Sequence, residues 1–250
     1  MITWFTAFLD LPAERFEEGA RFWSAVTGWP VSPLRGEREE FATLLPSRGD
    51  SHLKVQAVDG PPGCHLDVHV TDLSAGVARA RELGAQIHTE HDGYTVMASP
   101  GGFVFCVVPH ATGGVLAPPS SWPGGRSSIE QLCIDAPPAA YDREADFWTA
   151  FTGFERDRGE PNEFENLNRP AWSPLRFLLQ RLDSDAAGRT TAHLDVASDD
   201  RVAEIRRHES LGAEVTYEGR GWTTMRDPVG SAYCITERVP AYDLPSSRPS

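Results

Sequence analysis

The strongest constraint on this chain is that it repeats itself. His65-Leu66-Asp67-Val68 returns as His193-Leu194-Asp195-Val196, Leu83-Gly84-Ala85 as Leu211-Gly212-Ala213, and Phe105-Cys106 as Tyr233-Cys234. All keep one spacing (193 − 65 = 128), with no gap from His65 to Cys106. Upstream, Phe22-Trp23 and Thr27-Gly28-Trp29 answer Phe147-Trp148 and Thr152-Gly153-Phe154, and Asp10 answers Asp135, at 135 − 10 = 125; Gln56 answers Gln180 at 180 − 56 = 124. The small shifts in offset fall between elements, where loops tolerate insertion. A chain of 250 residues has room for two domains, so the repeat implies two copies of one domain, at 1–111 and 127–240. Residues 112–126 are rich in Gly, Pro and Ser and read as a linker, and 241–250 as a flexible tail.

Within each copy the hydrophobic pattern predicts the same run of elements. In the first copy, residues 3–11 read as a strand and 12–27 as a helix. Phe16, Ala20, Phe22, Trp23 and Val26 form the helix's apolar stripe, and Gly28 closes it. Short strands follow at 41–45 and 53–58, then a strand at 65–70, a helix at 73–83 ended by Gly84, and strands near 94–98 and 103–108. The order is βαβββ twice per copy, an α+β class.

Paired βαβββ units, Phe22-Trp23 with Thr27-Gly28-Trp29 at the first helix end, His65-Leu66-Asp67-Val68-His69-Val70 on a strand, Leu83-Gly84-Ala85 closing the second helix, and Asp227-Pro228-Val229-Gly230 before the last strand form one pattern. It resembles the vicinal oxygen chelate superfamily, in particular glyoxalase-like domains of the bleomycin-resistance type. The resemblance covers both copies and implies tandem glyoxalase-like domains, each a curved mixed sheet of two βαβββ units around a cavity. It also implies a divalent ion held by one ligand from each of the first, fourth, fifth and eighth strands, acting as a Lewis acid on neighbouring substrate oxygens. Carried onto this chain, the fifth-strand histidine is His65 and His193, the fourth-strand position falls on Gln56 and Gln180, and the last-strand glutamate is replaced by Cys106 and Cys234. The first strands hold no histidine, and Glu130 or Gln131 offers a donor in the second copy alone. His65 and His193 are therefore the metal candidates. One imidazole, an amide and a thiol supply little negative charge for a hard or borderline dication. The expectation is a metal site degraded or absent and no cofactor, with a divalent metal as the alternative.

Alternation along 65–70 puts Leu66, Val68 and Val70 on one face and His65, Asp67 and His69 on the other. The second copy keeps His193 and Asp195 and has Ala197 third. The aspartate either fixes a histidine tautomer beside a wet cavity or forms an acid/base pair with it. His65, Asp67, His193 and Asp195 are the catalytic candidates. The ligand-binding candidates are these four with His69, Gln56, Cys106, Gln180, Cys234 and Trp222. Trp23, Trp29, Trp148 and Phe154 read as core, His88 and His91 as exposed loop residues, and Arg201, Arg206 and Arg207 as surface.

A formal net charge of −13 disfavours nucleic-acid and anionic-membrane partners, and no apolar run approaches the roughly 18–20 residues of a membrane span. The N-terminus lacks a positive region before its apolar stretch and reads as mature protein. Four scattered cysteines without a C-x-x-C pair fit a reducing, cytoplasmic setting. The expected function is binding of a small organic molecule in the sheet cavities, as monomer or homodimer. The alternatives are a metal-dependent lyase, isomerase or dioxygenase, and a drug-sequestering resistance protein.

Overall fold

The computed structural model describes residues 1–110, 113–157 and 163–240. The expected tail lies outside them, as do residues 111–112 where the first copy meets the linker. The first copy runs β1 (Ile2–Pro12), α1 (Phe16–Thr27), β2 (Phe41–Thr43), β3 (Leu53–Val58), β4 (Gly63–Val70), α2 (Leu73–Glu82), β5 (Gln86–His91), β6 (Tyr94–Ala98) and β7 (Val104–Pro109). After β8 (Ser120–Trp122) the second runs β9 (Gly125–Ala136), α3 (Pro138–Thr152), β10 (Glu155–Asp157), β11 (Phe164–Asn168), β12 (Arg176–Arg181), β13 (Thr191–Ser198), α4 (Arg201–Ser210), β14 (Glu214–Glu218), β15 (Trp222–Arg226) and β16 (Ala232–Thr236). Part of the expected linker is therefore sheet, because β8 folds back antiparallel onto the start of β9.

Among the described residues each copy makes one mixed sheet, ordered β2-β3-β1-β4-β7-β6-β5 in the first and β10-β11-β12-β9-β13-β16-β15-β14 in the second. The pair β1–β4 is antiparallel, while β3 runs parallel to β1 and β7 to β4, so helical crossovers are obligatory. Local sequence sets their ends. The helices α1 and α3 stop where Gly28 and Gly153 take φ of 69° and 71°, a left-handed cap open to glycine. Asp72 and Asp200 cap α2 and α4 by accepting from the amides of Ala75 and Ala203.

The strands β5 and β14 correct the sequence reading. Residues 88 and 91 lie on an edge strand, not in a loop, and β5 is largely exposed. Its polar run Gln-Ile-His-Thr-Glu-His carries no apolar alternation because an edge strand with little burial needs none.

The two sheets share one core. Odd-numbered β1 residues Phe5, Ala7 and Leu9 belong to it, and the Phe5 ring meets Phe154 and Phe177 of the other copy at 5.9 and 5.0 Å. Each first helix packs onto the other copy's last strand. In α3, Phe147, Trp148 and Phe151 surround Phe105 at 5.7, 5.3 and 5.7 Å, while Trp23 of α1 meets Tyr233 at 5.0 Å. Arg207 also departs from expectation. It is half-buried and donates to the carbonyls of Ala25 and Val26, at the C-terminal end of α1, where a cation complements the helix dipole.

The indole hydrogens are satisfied differently at the two junctions. Trp23 Nε1 donates to Asp227 Oδ2 at 2.9 Å, and Asp227 Oδ1 accepts from the amides of Val229 and Ser231. At the other junction the turn carries Ser99 in place of Asp227, and the carboxylate comes from the helix: Glu144 accepts from Trp148 Nε1 at 2.8 Å and from the Gly101 amide at 2.7 Å. The counterpart of Glu144 in α1 is Gly19, at 144 − 19 = 125. Burial raises the pKa of both carboxyls.

Asp227→Ala leaves the Trp23 indole and two turn amides without their acceptor inside the core. We expect it to lower unfolding free energy by about 2–3 kcal/mol, measured from urea denaturation midpoints. A loss no larger in wild type than in a Trp23→Phe background would show that the indole bond contributes nothing.

Candidate functional site

In the first copy, alternation on β4 turns His65, Asp67 and His69 away from the shared core. Strand register then fixes the neighbours: Phe8 lies opposite His65 and Thr6 opposite Asp67 on β1, and Cys106 opposite Asp67 on β7. His65 Nδ1 sits 2.8 and 2.9 Å from the two oxygens of Asp10, and its ring stacks on Phe8 at 4.4 Å. Lys54, from β3, places Nζ 3.7 Å from Asp67 Oδ2 and 4.9 Å from the Phe8 ring centroid. His65, Asp67 and Cys106 offer donor atoms within 4.8 Å of one another.

The second copy rebuilds this cluster with changes. His193 Nδ1 lies 2.7 Å from Asp135 Oδ2. Its Nε2 lies 3.4 Å from Cys234 Sγ and 3.3 Å from Asp195 Oδ1, the latter out of line for a hydrogen bond. Gln131 donates to the other Asp195 oxygen. Cys133 replaces Phe8 opposite His193, 3.6 Å from Gln180 Oε1. Leu178 stands where the first copy has Lys54, since each precedes the repeated glutamine by two residues. Phe164 on β11 and Trp222 on β15 meet at 5.5 Å, so the sheet curves until strands far apart in its order touch.

Electrostatics follow from burial and pairing. Burial works to lower the pKa of both histidines, yet the carboxylates of Asp10 and Asp135 outweigh it, raising His65 and raising His193 well above the ordinary value. Burial raises Asp67 despite Lys54 beside it. Burial, with Asp67 adjacent, pushes the Cys106 thiol far up, so it is neutral.

The expected residues thus divide. His65, Asp67 and Cys106 converge, as do His193, Asp195 and Cys234. His69 does not join its cluster: Nε2 bonds Thr6 Oγ1 at 2.9 Å, its ring meets His110, and burial lowers its pKa to about 3. Gln56 pairs in register with Asp10 and Gln180 meets Cys133 rather than the histidine. Glu130 turns to Arg169 and Arg176, on the side away from Gln131. Asp10, Asp135 and Lys54 escaped sequence reasoning as site residues. The signal for the first two was their repeat-equivalence. For Lys54 it was the mismatch with Leu178. A cleft of about 680 Å³ at the helix junction, lined by Arg15, Arg21, Arg226 and Glu214 among others, shares no residue with either cluster.

A curved mixed sheet with a histidine–carboxylate cluster on its inner face, made twice in one chain, defines a class, and comparison places the chain within it. A family model described as Glyoxalase-like domain matches residues 6–108 and again 131–236. The chain belongs to the glyoxalase-like domain family, within the vicinal oxygen chelate superfamily. No curated protein matches it in sequence. Solved structures similar to it include a halotolerant catechol dioxygenase (TM-score 0.60, 16% identity, over 98% of this chain and 90% of that one). Others are a mutant of 4-hydroxymandelate synthase from Streptomyces coelicolor (0.60, 14%, 97% and 95%) and a variant of homoprotocatechuate 2,3-dioxygenase from B. fuscum (0.64, 13%, 95% and 71%). At these identities the likeness shows the fold alone.

The fold family implies a metal, and the two copies answer differently. In the first, Lys54 already brings a cation to Asp67, and the donors do not fit a dication. In the second, Asp195 Oδ1 and Gln131 Oε1 are buried without hydrogen-bond partners, beside an imidazole nitrogen and a thiol, and the donors fit.

Because the carboxylate of Asp10 is what holds the His65 proton, stability from the charged imidazole is fully present below its ordinary value of 6.5 and lost as pH rises through the raised folded value. In Asp10→Asn burial remains without the charge, so His65 titrates at lower pH than in wild type. NMR titration of the imidazole Hε1 resonances checks this, and an unchanged midpoint would contradict the pairing.

Proposed function

We propose that the chain binds small organic molecules on the inner faces of its two curved sheets, and that the first copy does so without a metal. The observation that carries this reading is the duplicated pair His65–Asp10 and His193–Asp135, held at equivalent places by equivalent strands. In each pair the aspartate occupies Nδ1. In the first copy this leaves Nε2 as the nitrogen able to meet a ligand, while in the second Nε2 already meets Cys234 and Asp195. In the first copy Lys54 adds an ammonium, while Phe8, Phe41 and Tyr94 supply aromatic surface on the same face by register. That combination suits a compact molecule with an anionic or carbonyl oxygen on a planar frame.

Dioxygenase activity, named for the similar solved structures, is not part of the proposal. A non-haem iron site of the two-histidine, one-carboxylate kind needs two imidazoles, and each cluster brings one. His65 can still hold and return a proton at Nε2 to a bound oxygen, with Asp10 stabilising the charged ring.

The test is a panel titration with aromatic carboxylates, oxoacids and thiol adducts of aldehydes, followed by calorimetry and by the imidazole NMR resonances. We expect one class to shift the His65 signals, and Lys54→Ala to weaken its anionic members by about tenfold or more, equivalent to one lost charge-assisted hydrogen bond of roughly 1.5–3 kcal/mol. No binding by any class would sink the proposal.

A further inference from the structure

We propose that the cleft where α1 meets the turn before β16 is a binding site for a small phosphomonoester with an apolar body, separate from both histidine clusters. The cleft encloses about 680 Å³, within the range of small-molecule sites. Phe22, Ala25 and Leu211 give it apolar lining, and Arg15, Arg21 and Arg226 bring three guanidiniums to it.

The charges of the cleft do not cancel among themselves. Arg15 pairs with Glu18 at 2.8 Å and donates to the carbonyl of Pro228, which ties it to the turn. Asp227 is taken up by Trp23 and by the amides of Val229 and Ser231. Arg21 stands one helical turn from Glu17 and Glu18, and Arg226 faces Glu214 across β15 and β14. Neither Arg21 nor Arg226 makes an ion pair or hydrogen bond among the described residues. A chain with 36 acidic residues against 23 basic ones has no shortage of carboxylates. Two open guanidiniums, against Glu214 as the one uncommitted carboxylate of the lining, give this cleft a positive balance that the molecule as a whole lacks.

The repeat supplies an internal control. At the other junction the apolar lining recurs, with Phe147, Ala150 and Leu83 at the places of Phe22, Ala25 and Leu211. Ala140, Asp146 and Ala98 stand where the arginines would be (140 − 15 = 125, 146 − 21 = 125, 226 − 98 = 128), and Asp146 turns to Arg156 at 3.0 Å. The first helix packs on the other copy's last strand at both junctions, so packing does not require the three arginines. Guanidinium forks match the oxygens of a phosphate. A phosphomonoester carries about −1.5 to −2 charges at pH 7, enough to engage Arg21 and Arg226 together. A carboxylate brings a single charge, and inorganic phosphate brings no surface for the apolar lining.

The test is isothermal titration of the full chain in a Lys54→Ala background, which removes the ammonium assigned to the inner face, so that this proposal and the inner-face reading fail separately. We expect one phenyl phosphate per chain, no heat with phenol, and inorganic phosphate weaker by about tenfold or more. Arg21→Ala and Arg226→Ala should each weaken phenyl phosphate by about tenfold, and Glu214→Gln should tighten it by about twofold to fivefold. Arg21 is exposed, so its replacement leaves the core in place. No binding, binding that survives Arg21→Ala and Arg226→Ala, phenol or inorganic phosphate bound as tightly, or no tightening in Glu214→Gln would each overturn it. So would retention on phosphatidate vesicles that is lost in Arg21→Ala, which would give the cleft to a lipid headgroup. Failure of every ligand at the inner face would leave the phenyl phosphate count at one.

Discussion

Everything in this molecule is arranged around tryptophans that leave their own half. Trp23 and Trp148 sit on the first helix of each copy and are buried completely, Trp23 against the other copy's Tyr233 and Trp148 against Phe103 and Phe105. Neither sheet could cover its apolar face alone. Its own helices cover only part of it, α1 beside β1 and β3 and α3 beside β9 and β12, with α2 and α4 beside β7 and β16, and the other copy supplies the rest. With one face of each sheet committed to this common core, the opposite face becomes the one that carries polar side chains. The placement of the histidine clusters is thus a consequence of how the core closes.

The sequence made the repeat, the class and most elements legible. Strands β3 and β6 occupy the residues that alternation marked, and α1 ends at the glycine that marked it. What it concealed has physical causes. The edge strand β5 carries little apolar surface, so periodicity had nothing to register, and in β14 the alternating Val215 and Tyr217 stay exposed instead of marking a buried face. The His65–Asp10 pair joins residues on neighbouring strands, and its two-position stagger is a property of strand register, invisible until the pairing of β1 with β4 is known. Lys54 looked like an ordinary charged residue on a short strand, and only its approach to Asp67 gives it a role. Arg207 looked like surface because a charge on a polar helix usually is, and its carbonyl partners belong to the other copy.

Duplication has preserved the scaffold of the inner face and varied its charges. Histidine, both aspartates and the last-strand cysteine stand in each copy, while Phe8, Thr6, Lys54 and His69 give way to Cys133, Gln131, Leu178 and Ala197. These four substitutions all fall on one face around one histidine. They change its packing, its electrostatic balance and the polar groups left unmet.

The exchange of Gly19 and Asp227 at one junction for Glu144 and Ser99 at the other has a consequence for assembly. A first copy paired with another first copy would bring the Trp23 indole to a serine turn with no carboxylate in reach. A second copy paired with itself would press Glu144 toward Asp227, two carboxyls in a dry interior where one already resists ionisation. Only the mixed pairing gives each indole one acceptor. The halves of this chain are related by ancestry but no longer interchangeable, and their covalent connection holds together a heterodimer that neither half could form with itself.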